Sequence, residues 1–199
     1  MKINEQETLD IVSNILAWRE SNSLNDSLQK LGYSRNIFEE LGEYAGAIKD
    51  KDTNMIVDAL CDILVFSINN LPNKLSVFNA VLTATNNELE KQPNQMITKE
   101  IFEESLHFIL ANTLNAIREN KESNLFAMVI ALIIITKQYI EEVLNYNFKD
   151  CMDETIKEIN SRTGSYNNEL KKWVKDSSEE AKAKWYKANY NQCKITTLA

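Results

Sequence analysis

The sequence predicts an all-α fold, with a four-helix-bundle core and extra helices at the carboxyl end. Apolar residues recur at helical spacing along most of the chain, as in Leu9, Val12, Ile15 and Leu16. Only 4 Gly and 2 Pro are present, too few for the tight turns of a many-stranded fold. The 199 residues are enough for one large domain or for a domain with an appendage.

Helical periodicity and capping residues predict the elements in order. Ser34 and Thr53 are candidate N-caps of the second and third helices, and Gly164 marks a break before the last one. A polar stretch at residues 21–26 separates the first two helices. The predicted helices cover residues 6–20, 35–50, 53–70, 76–91, 99–120, 123–145, 149–161 and 178–190.

Charge is distributed unevenly along the chain. The net charge is -7, so the whole molecule does not have the basic surface of a general nucleic-acid binder. Residues 157–194 contain nine Lys or Arg and five Asp or Glu, a net of +4, which leaves -11 for the remainder. We therefore expect an acidic body that can hold cations and a basic carboxyl-terminal part that can meet anions.

Cysteine usage and hydropathy indicate a soluble, cytoplasmic protein without a membrane partner. Cys61, Cys151 and Cys193 form no CxxC pair, which fits a reducing compartment. The amino terminus lacks an apolar signal segment. The longest apolar run, residues 125–136, is followed by Lys137 and is too short to span a bilayer, so we expect a buried helix there.

The most informative residues are four carboxylates in two clusters. Glu40 and Glu43 share one helical face, and Asp58 and Asp62 share another. A turn at residues 49–53 would fold the two helices antiparallel, so that the four carboxylates converge in one cleft. Such groups repel unless a cation lies between them, and oxygen ligands favour Mg²⁺ or Mn²⁺.

An alternative is that these carboxylates only solvate the faces of amphipathic helices. Against this alternative, Asp58 and Asp62 lie within the apolar sequence MIVDALCDILVF. Burying a carboxylate there is costly unless it has a partner. The sequence therefore favours a metal site.

These motifs carry a resemblance to a known superfamily. EELGEYA at residues 39–45 and DALCDIL at residues 58–64 resemble motifs of the all-α nucleoside triphosphate pyrophosphohydrolases. That superfamily includes the MazG proteins, the dimeric dUTPases and the phosphoribosyl-ATP pyrophosphohydrolases. The second motif usually reads ExxD, and this chain has Ala59 in the Glu position, so Asp58 would have to replace it. The resemblance covers residues 18–70.

The resemblance implies a fold, a reaction and a ligand set. It implies a MazG or dimeric-dUTPase type of bundle that forms a homodimer. Glu40, Glu43, Asp58 and Asp62 would hold Mg²⁺, with Mn²⁺ as a substitute, and Glu39 is the candidate to position or deprotonate the attacking water. The family cleaves nucleoside triphosphates between the α and β phosphates, giving a monophosphate and pyrophosphate. A dUTPase specifically is one alternative within this reading.

Two further regions are candidates for substrate binding. Residues 157–166 loosely resemble a nucleotide-binding segment of dimeric dUTPases, in which Lys157, Asn160, Arg162 and Tyr166 would contact the substrate. The alternative is an ordinary helix end. Trp18 resembles a Trp in MazG-like proteins and would stack on the base, unless it simply packs under the bundle.

The predicted domain organisation is a bundle at residues 1–148 and a basic helical extension at residues 149–199 that contributes to nucleotide binding. A weak repeat relates residues 35–72 to residues 99–145, because NIFEE at 36–40 recurs as EIFEE at 100–104. In this alignment His107 takes the place of Glu43, so the second hairpin would have lost the ligands. Chance recurrence in a Glu- and Ile-rich helical chain is the alternative.

Three other functions compete with the enzyme. The chain is a catalytically inactive helical adaptor if the imperfect second motif is a relic. It is a nucleic-acid binder if the aromatic and basic tail, which includes Trp173 and Trp185, forms a stacking platform, although the overall charge makes nucleic acid an unlikely partner. Glu104 and His107 form one ExxH motif of the di-iron type, but a single histidine cannot complete such a site within one chain.

Overall fold

The computed structural model describes residues 3–91, 96–170 and 172–196, and it confirms a predominantly helical fold. Positions 171 and 197–199 of the predicted extension lie outside the described residues. The helices are α1 (Glu5–Ser21), α2 (Asp26–Asp50), α3 (Thr53–Asn69), α4 (Leu75–Leu89), α5 (Lys99–Arg118), α6 (Glu122–Glu142), α7 (Phe148–Ser161) and α8 (Glu179–Lys182). Strands β1 (Gly164–Asn167) and β2 (Lys172–Lys175) form an antiparallel hairpin, and a 3-10 turn covers Tyr190–Cys193.

A tight turn joins α2 and α3 at the position that the sequence predicts. Lys51 adopts a left-handed conformation with φ of 57°. Asp52, rather than the predicted Thr53, caps α3, because its carboxylate accepts a hydrogen bond from the Met55 amide at 3.1 Å. Tyr33 and Ser67 hydrogen-bond across the pair through their hydroxyl groups at 3.2 Å, as antiparallel packing requires.

Helix α2 begins well before the predicted start at residue 35. Its cap is Asn25, whose side chain accepts from the Leu28 amide at 2.9 Å. Ser34 therefore lies inside the helix and is not its cap. The additional turns are retained because they bury Tyr33, which is 2 % exposed, against α3 and α5.

Helix α3 lies at the centre of the bundle. It packs against α1, α2, α6 and α7, and most of its side chains are buried. A second antiparallel pair is formed by α5 and α6, where Phe102 stacks on Tyr139 with ring centroids 4.0 Å apart. The two hairpins match the proposed repeat in arrangement, while the duplication itself stays a hypothesis. His107 is exposed on α5.

Helix α6 is a long and strongly apolar helix. Its length and composition would allow it to cross a membrane, and the core helix of a soluble protein satisfies the same criterion. It contacts α3, α4, α5 and α7, and its buried residues include Phe126, Val129 and Ile133. The predicted buried helix is therefore present in the bundle.

The chain after α7 differs from the prediction of a final helix at residues 178–190. Only α8 is helical there, and an extended segment leads from it to the 3-10 turn. We call residues 185–193 the C-terminal strap. Two buried carboxylates explain its extended form, because Glu154 accepts from the Asn189 amide at 2.9 Å and Glu158 accepts from the Ala188 amide at 2.6 Å.

The strap and α7 complete the helical core. Helix α7 packs against α1 and α3, and the strap contacts α3 and α7 through its 3-10 turn. Cys193 is buried, as are Cys61 on α3 and Cys151 on α7, and all three thiols are free. Burial raises the pKa of each thiol, so these cysteines behave as apolar core residues.

We predict that the core position of α3 dominates stability. Leu60→Ala should lower the free energy of unfolding by about 2–5 kcal/mol, because Leu60 is 1 % exposed and its truncation leaves a cavity. The matched control is Leu170→Ala in the turn between β1 and β2, where the side chain is 50 % exposed and the loss should stay within about 0.5 kcal/mol. Urea unfolding measures both, and equal losses would contradict the central placement of α3.

Candidate functional site

A cavity of about 300 Å³ lies between α2, α3, the end of α7 and the β-hairpin. Its volume is at the lower end of the range for small-molecule sites. Its walls are chemically divided. They include the carboxylates Glu39, Glu40, Glu43 and Asp62, the cations Arg162, Lys172 and Lys175, the aromatic residues Trp18, Phe66, Tyr166 and Trp173, and the amides Gln29, Asn36 and Asn69.

The acidic wall is built by the α2–α3 hairpin. Glu39, Glu40 and Glu43 come from α2, and Asp62 comes from α3. Glu40 is buried, with 8 % of its surface exposed, and its Oε2 atom has no hydrogen-bond partner. Glu39 and Glu43 are exposed at the edge of the cavity. The structure thus brings four of the predicted acidic residues to one space.

The carboxylates of this wall perturb one another strongly. Burial, followed by the negative charges of Asp62 and Glu43, raises the pKa of Glu40 to about 8. Burial and then the charge of Asp58 raise the pKa of Asp62 to about 7, although Arg162 and Lys175 act in the opposite direction. A proton or a cation therefore stabilises this wall near neutral pH.

Asp58 lies apart from the cavity lining, although it was predicted as a fourth ligand. Its carboxylate accepts a hydrogen bond from the Tyr190 hydroxyl at 2.9 Å and lies 3.6 Å from the Lys187 ammonium. Both partners belong to the C-terminal strap. Asp58 therefore contributes charge to the acidic wall while its oxygens contact the strap.

The opposite wall is positively charged and comes from α7 and the hairpin. Arg162 follows the last residue of α7, and its guanidinium contacts Glu158 and lies 5.8 Å from the centre of the Trp185 ring. Lys172 and Lys175 come from β2. Desolvation and the charge of Arg162 lower the pKa of Lys175, whereas the facing carboxylates raise it.

Close packing of the hairpin depends on Gly164. A Cβ atom at this position would overlap the Val174 carbonyl oxygen and the Trp173 ring. Trp173 in turn contacts Trp18 edge to face, with ring centroids 5.5 Å apart. The Trp18 indole donates to the Ile159 carbonyl at 3.0 Å, so its orientation is fixed while it lines the cavity.

Two residues predicted to bind substrate lie outside the cavity lining. Lys157 is exposed and donates to Glu154 at 2.6 Å. The Asn160 side chain donates to the Ile156 carbonyl of its own helix at 2.9 Å. Of the five predicted substrate-binding residues, Trp18, Arg162 and Tyr166 line the cavity.

The aromatic residues of the tail contact the body of the protein. Trp173 packs against Trp18, Trp185 lies beneath Arg162, and Tyr190 is buried against α3 and α7. This arrangement favours docking of the tail over the alternative of a free stacking platform for nucleic acid.

Several buried polar atoms of the cavity residues have no hydrogen-bond partner. They are Glu40 Oε2, Asn69 Oδ1, Arg162 Nε and Trp173 Nε1. Buried polar groups are normally paired, and each unpaired group costs free energy. These two acceptors and two donors belong to residues that line the cavity, so a polar ligand that reached them would offset this cost.

A divalent cation fits the donor chemistry of the acidic wall. Carboxylate oxygens are the ligands that Mg²⁺ and Mn²⁺ prefer, and Glu40 Oε2 is a buried acceptor without a partner. Within the described ranges, no group of three or more His, Cys, Asp or Glu side chains is arranged as a finished metal site.

Sequence reasoning did not assign Lys172, Trp173, Lys175 and Asn69 to the site. The lysines and Trp173 belong to a hairpin of four-residue strands, which is too short to give a clear alternating pattern. Asn69 lies near the end of an apolar helix and resembles a capping residue. The local signal that was available is the Lys-Trp-Val-Lys alternation after Gly164 and the Asn-Asn pair at 167–168.

Comparisons of the chain with protein-family models, with curated proteins and with solved structures found no match. The chemistry of the cavity therefore has to be inferred from its own residues. It holds clustered carboxylates and cations on facing walls and aromatic rings beside them.

We predict that Glu40 lowers the free energy of unfolding by an amount that increases with pH. Its pKa is about 8 in the folded protein and ordinarily 4.5, so between these values the folded state keeps a proton that the unfolded state releases. Stability therefore falls as the pH rises through this window. Glu40→Gln has no titrating carboxyl group at this position. Its free energy of unfolding should therefore exceed that of wild type by an amount that grows as the pH rises from 4.5 to about 8, and the two proteins should differ little below pH 4.5.

Urea unfolding in chelator at several pH values measures this effect. Glu104→Gln is the matched control, because Glu104 is exposed on α5 away from the cavity. A stability difference for Glu40→Gln that does not vary with pH would contradict the electrostatic description of the acidic wall.

We also predict that Tyr190 anchors the strap. Its hydroxyl donates to Asp58 and lies 3.0 Å from the Thr155 hydroxyl, and Tyr190 is 4 % exposed. Tyr190→Phe should lower the free energy of unfolding by about 1–3 kcal/mol, because it leaves a carboxylate with one partner fewer. Thermal unfolding measures the loss. Tyr166→Phe, on the half-buried hairpin, is the control, and equal losses in both variants would contradict the prediction that Tyr190 anchors the strap.

Proposed function

We propose that the protein is a Mg²⁺-dependent nucleoside triphosphate pyrophosphohydrolase that converts a nucleotide and water to a monophosphate and pyrophosphate. Its role would be the removal of unwanted nucleotides from the cytoplasmic pool. One observation carries the proposal, namely that a single cavity has clustered carboxylates on one wall and Arg162, Lys172 and Lys175 on another. The motif resemblance at residues 39–45 and 58–64 supports the same reaction.

The acidic wall would hold the metal. Glu40, Glu43 and Asp62 are the residues that fit this role, and Asp58 is the fourth ligand that the motif implies. A bound Mg²⁺ ion neutralises phosphate charge and activates water at neutral pH. Burial and neighbouring carboxylates raise the pKa of Glu40 and of Asp62, and a bound cation would relieve the repulsion among these groups.

The basic wall would bind the phosphate chain. The guanidinium of Arg162 is planar and pairs well with phosphate oxygens, while Lys172 and Lys175 provide flexible point charges. These cations line the same cavity as the carboxylates, and Arg162 and Lys175 act electrostatically on Asp62. A polyphosphate bound between the walls would therefore balance both sets of charge.

Glu39 is the residue that we assign to the water. It lies at the exposed edge of the acidic wall and points about 100° away from Glu40 around the helix. As a general base it would accept a proton while the water oxygen bonds to phosphorus. The P–O bond between the α and β phosphates then breaks, and pyrophosphate leaves with the bridging oxygen.

The proposal includes a homodimer. Leu31 and Phe38 on α2, and Ile101 and Phe108 on α5, are exposed apolar residues, and each pair is spaced by seven residues along its helix. Residues at this spacing share a face, and α2 and α5 pack side by side. Exposed apolar surface of this kind is typical of association surfaces.

The inactive adaptor is the second candidate function, because Asp58 contacts Tyr190 and Lys187 rather than the cavity. A product assay separates the two candidates. Each common NTP and dNTP, including dUTP, is incubated with the protein in Mg²⁺, in Mn²⁺ or in chelator, and the products are separated. We expect metal-dependent monophosphate and pyrophosphate from one or a few substrates. No turnover of any substrate would favour the adaptor.

We predict that Asp62→Asn abolishes this activity. The loss should be at least about 100-fold, the upper end of the losses seen when the surroundings of a metal ligand are altered. Stabilisation by Mg²⁺, measured as a shift in Tm, should disappear with it. Asp50→Asn, at the exposed end of α2, is the matched control and should retain both properties. A Tm that is indifferent to Mg²⁺ in wild type would contradict the metal assignment.

A further inference from the structure

Asn69 is a buried polar residue at the opposite end of the cavity from the metal-binding carboxylates. It is 1 % exposed, it lines the cavity, and its Oδ1 atom has no hydrogen-bond partner. It follows Asp62 by two turns of α3, a rise of about 10 Å. A ligand that reaches both residues must therefore be elongated.

Arg19 fixes the backbone at this end of α3. Its Nη1 atom donates to the carbonyl oxygens of Asn69 and Leu71, each at 2.7 Å, and its side chain is 3 % exposed. A cation at the carboxyl end of a helix is also favoured by the helix dipole. The Asn69 backbone is thus held by a buried interaction, and its side chain lines the cavity with an amide oxygen that has no partner within the protein.

The surroundings of Asn69 suit a flat ring with a polar edge. Trp18, Leu28 and Phe66 line this part of the protein, and Trp173 supplies an indole Nε1 that lacks an acceptor. Aromatic and apolar walls favour the faces of a planar ring. An amide offers a donor beside an acceptor, the pattern needed to pair with the edge of a nucleobase.

We propose that Asn69 recognises the base of the substrate, so that the cavity selects a nucleotide over a base-free polyphosphate. This inference rests on the proposed function, since the phosphate chain must extend from the base towards Asp62. The amide would pair with a base N–H through Oδ1 and with a base acceptor through Nδ2.

Binding of two ligand types tests the inference. The probes are nucleoside 5′-(α,β-imido)triphosphates, whose α–β bridge resists cleavage, and inorganic tripolyphosphate, both with Mg²⁺ and followed by calorimetry. Asn69→Ala should weaken nucleotide binding by about 10- to 100-fold and change tripolyphosphate binding by less than about twofold. Asn70→Ala is the matched control, because Asn70 is equally buried at 1 % exposure and is not part of the cavity lining.

A second variant keeps the test decisive if Asn69→Ala folds poorly. Asn69→Asp has the same shape but offers only acceptors. Guanine presents two neighbouring N–H donors, so the preference among bases should shift towards guanine by about 10-fold or more.

Three outcomes overturn the inference. These are nucleotide and tripolyphosphate binding that weaken together in Asn69→Ala, nucleotide binding that does not change, and a wild type that binds tripolyphosphate as tightly as nucleotides. If wild type binds nucleotides through Asn69 but cleaves none of the natural triphosphates, base recognition stands and the proposed reaction fails.

Discussion

The electrostatic repulsion between Glu40 and Asp62 inside the α2–α3 hairpin is the constraint on which the charge arrangement around the cavity depends. The turn at Lys51 and Asp52 forces the two helices to pair, and the Tyr33–Ser67 hydrogen bond fixes their alignment. Helix α3 is buried on most sides, so its acidic residues cannot reach open water freely. Each of them must have a proton, a cation or a donor nearby, because an isolated buried carboxylate is costly.

The carboxyl-terminal part of the chain supplies these partners. Arg162 and Lys175 act on Asp62, while Lys187 and Tyr190 contact Asp58. The net charge of +4 in residues 157–194, against -11 in the remainder, thus has a structural reason. The basic segment balances an acidic core and completes the cavity at the same time, so removing it would both leave the carboxylates without these partners and open the cavity.

The strap is in turn held by carboxylates of α7. Glu154 is 1 % exposed and Glu158 is 6 % exposed, and both accept backbone hydrogen bonds from the strap. Buried carboxylates that accept several hydrogen bonds are stabilised in their charged form. Their role is to fix an extended segment, whereas Glu40 has an oxygen without a partner. Burial alone therefore does not separate Glu40 from these two structural carboxylates, whereas its unpaired oxygen does.

The sequence predicted the long helices well because their apolar periodicity reports which face is buried. It also placed the α2–α3 turn and the acidic wall, since spacing along a helix determines which side chains share a face. Asp58 and Asn160 show the limit of this reasoning. Both have suitable chemistry and spacing, but Asp58 contacts Tyr190 and Asn160 bonds to its own helix, and neither partner follows from local pattern.

The hairpin and the strap were missed for the same physical reason. Their conformations depend on contacts with distant residues, such as Trp173 with Trp18 and the strap amides with Glu158. Asn69 was missed because a polar residue at a helix end is usually a cap. Only its burial beside a cavity, which the sequence does not reveal, distinguishes it from a cap.

The order of side chains along α2 and α3 gives the cavity a direction. From Glu43 and Asp62 at one end, the lining changes to Asn36 and Phe66 and then to Gln29 and Asn69 at the other. Because the helices are antiparallel, residues of similar chemistry on α2 and α3 lie at similar levels along the cavity. A nucleotide has the same sequence of chemistry, from a charged chain to a flat ring with a polar edge. This match along the whole length of the cavity supports the proposed substrate class more strongly than the carboxylates alone.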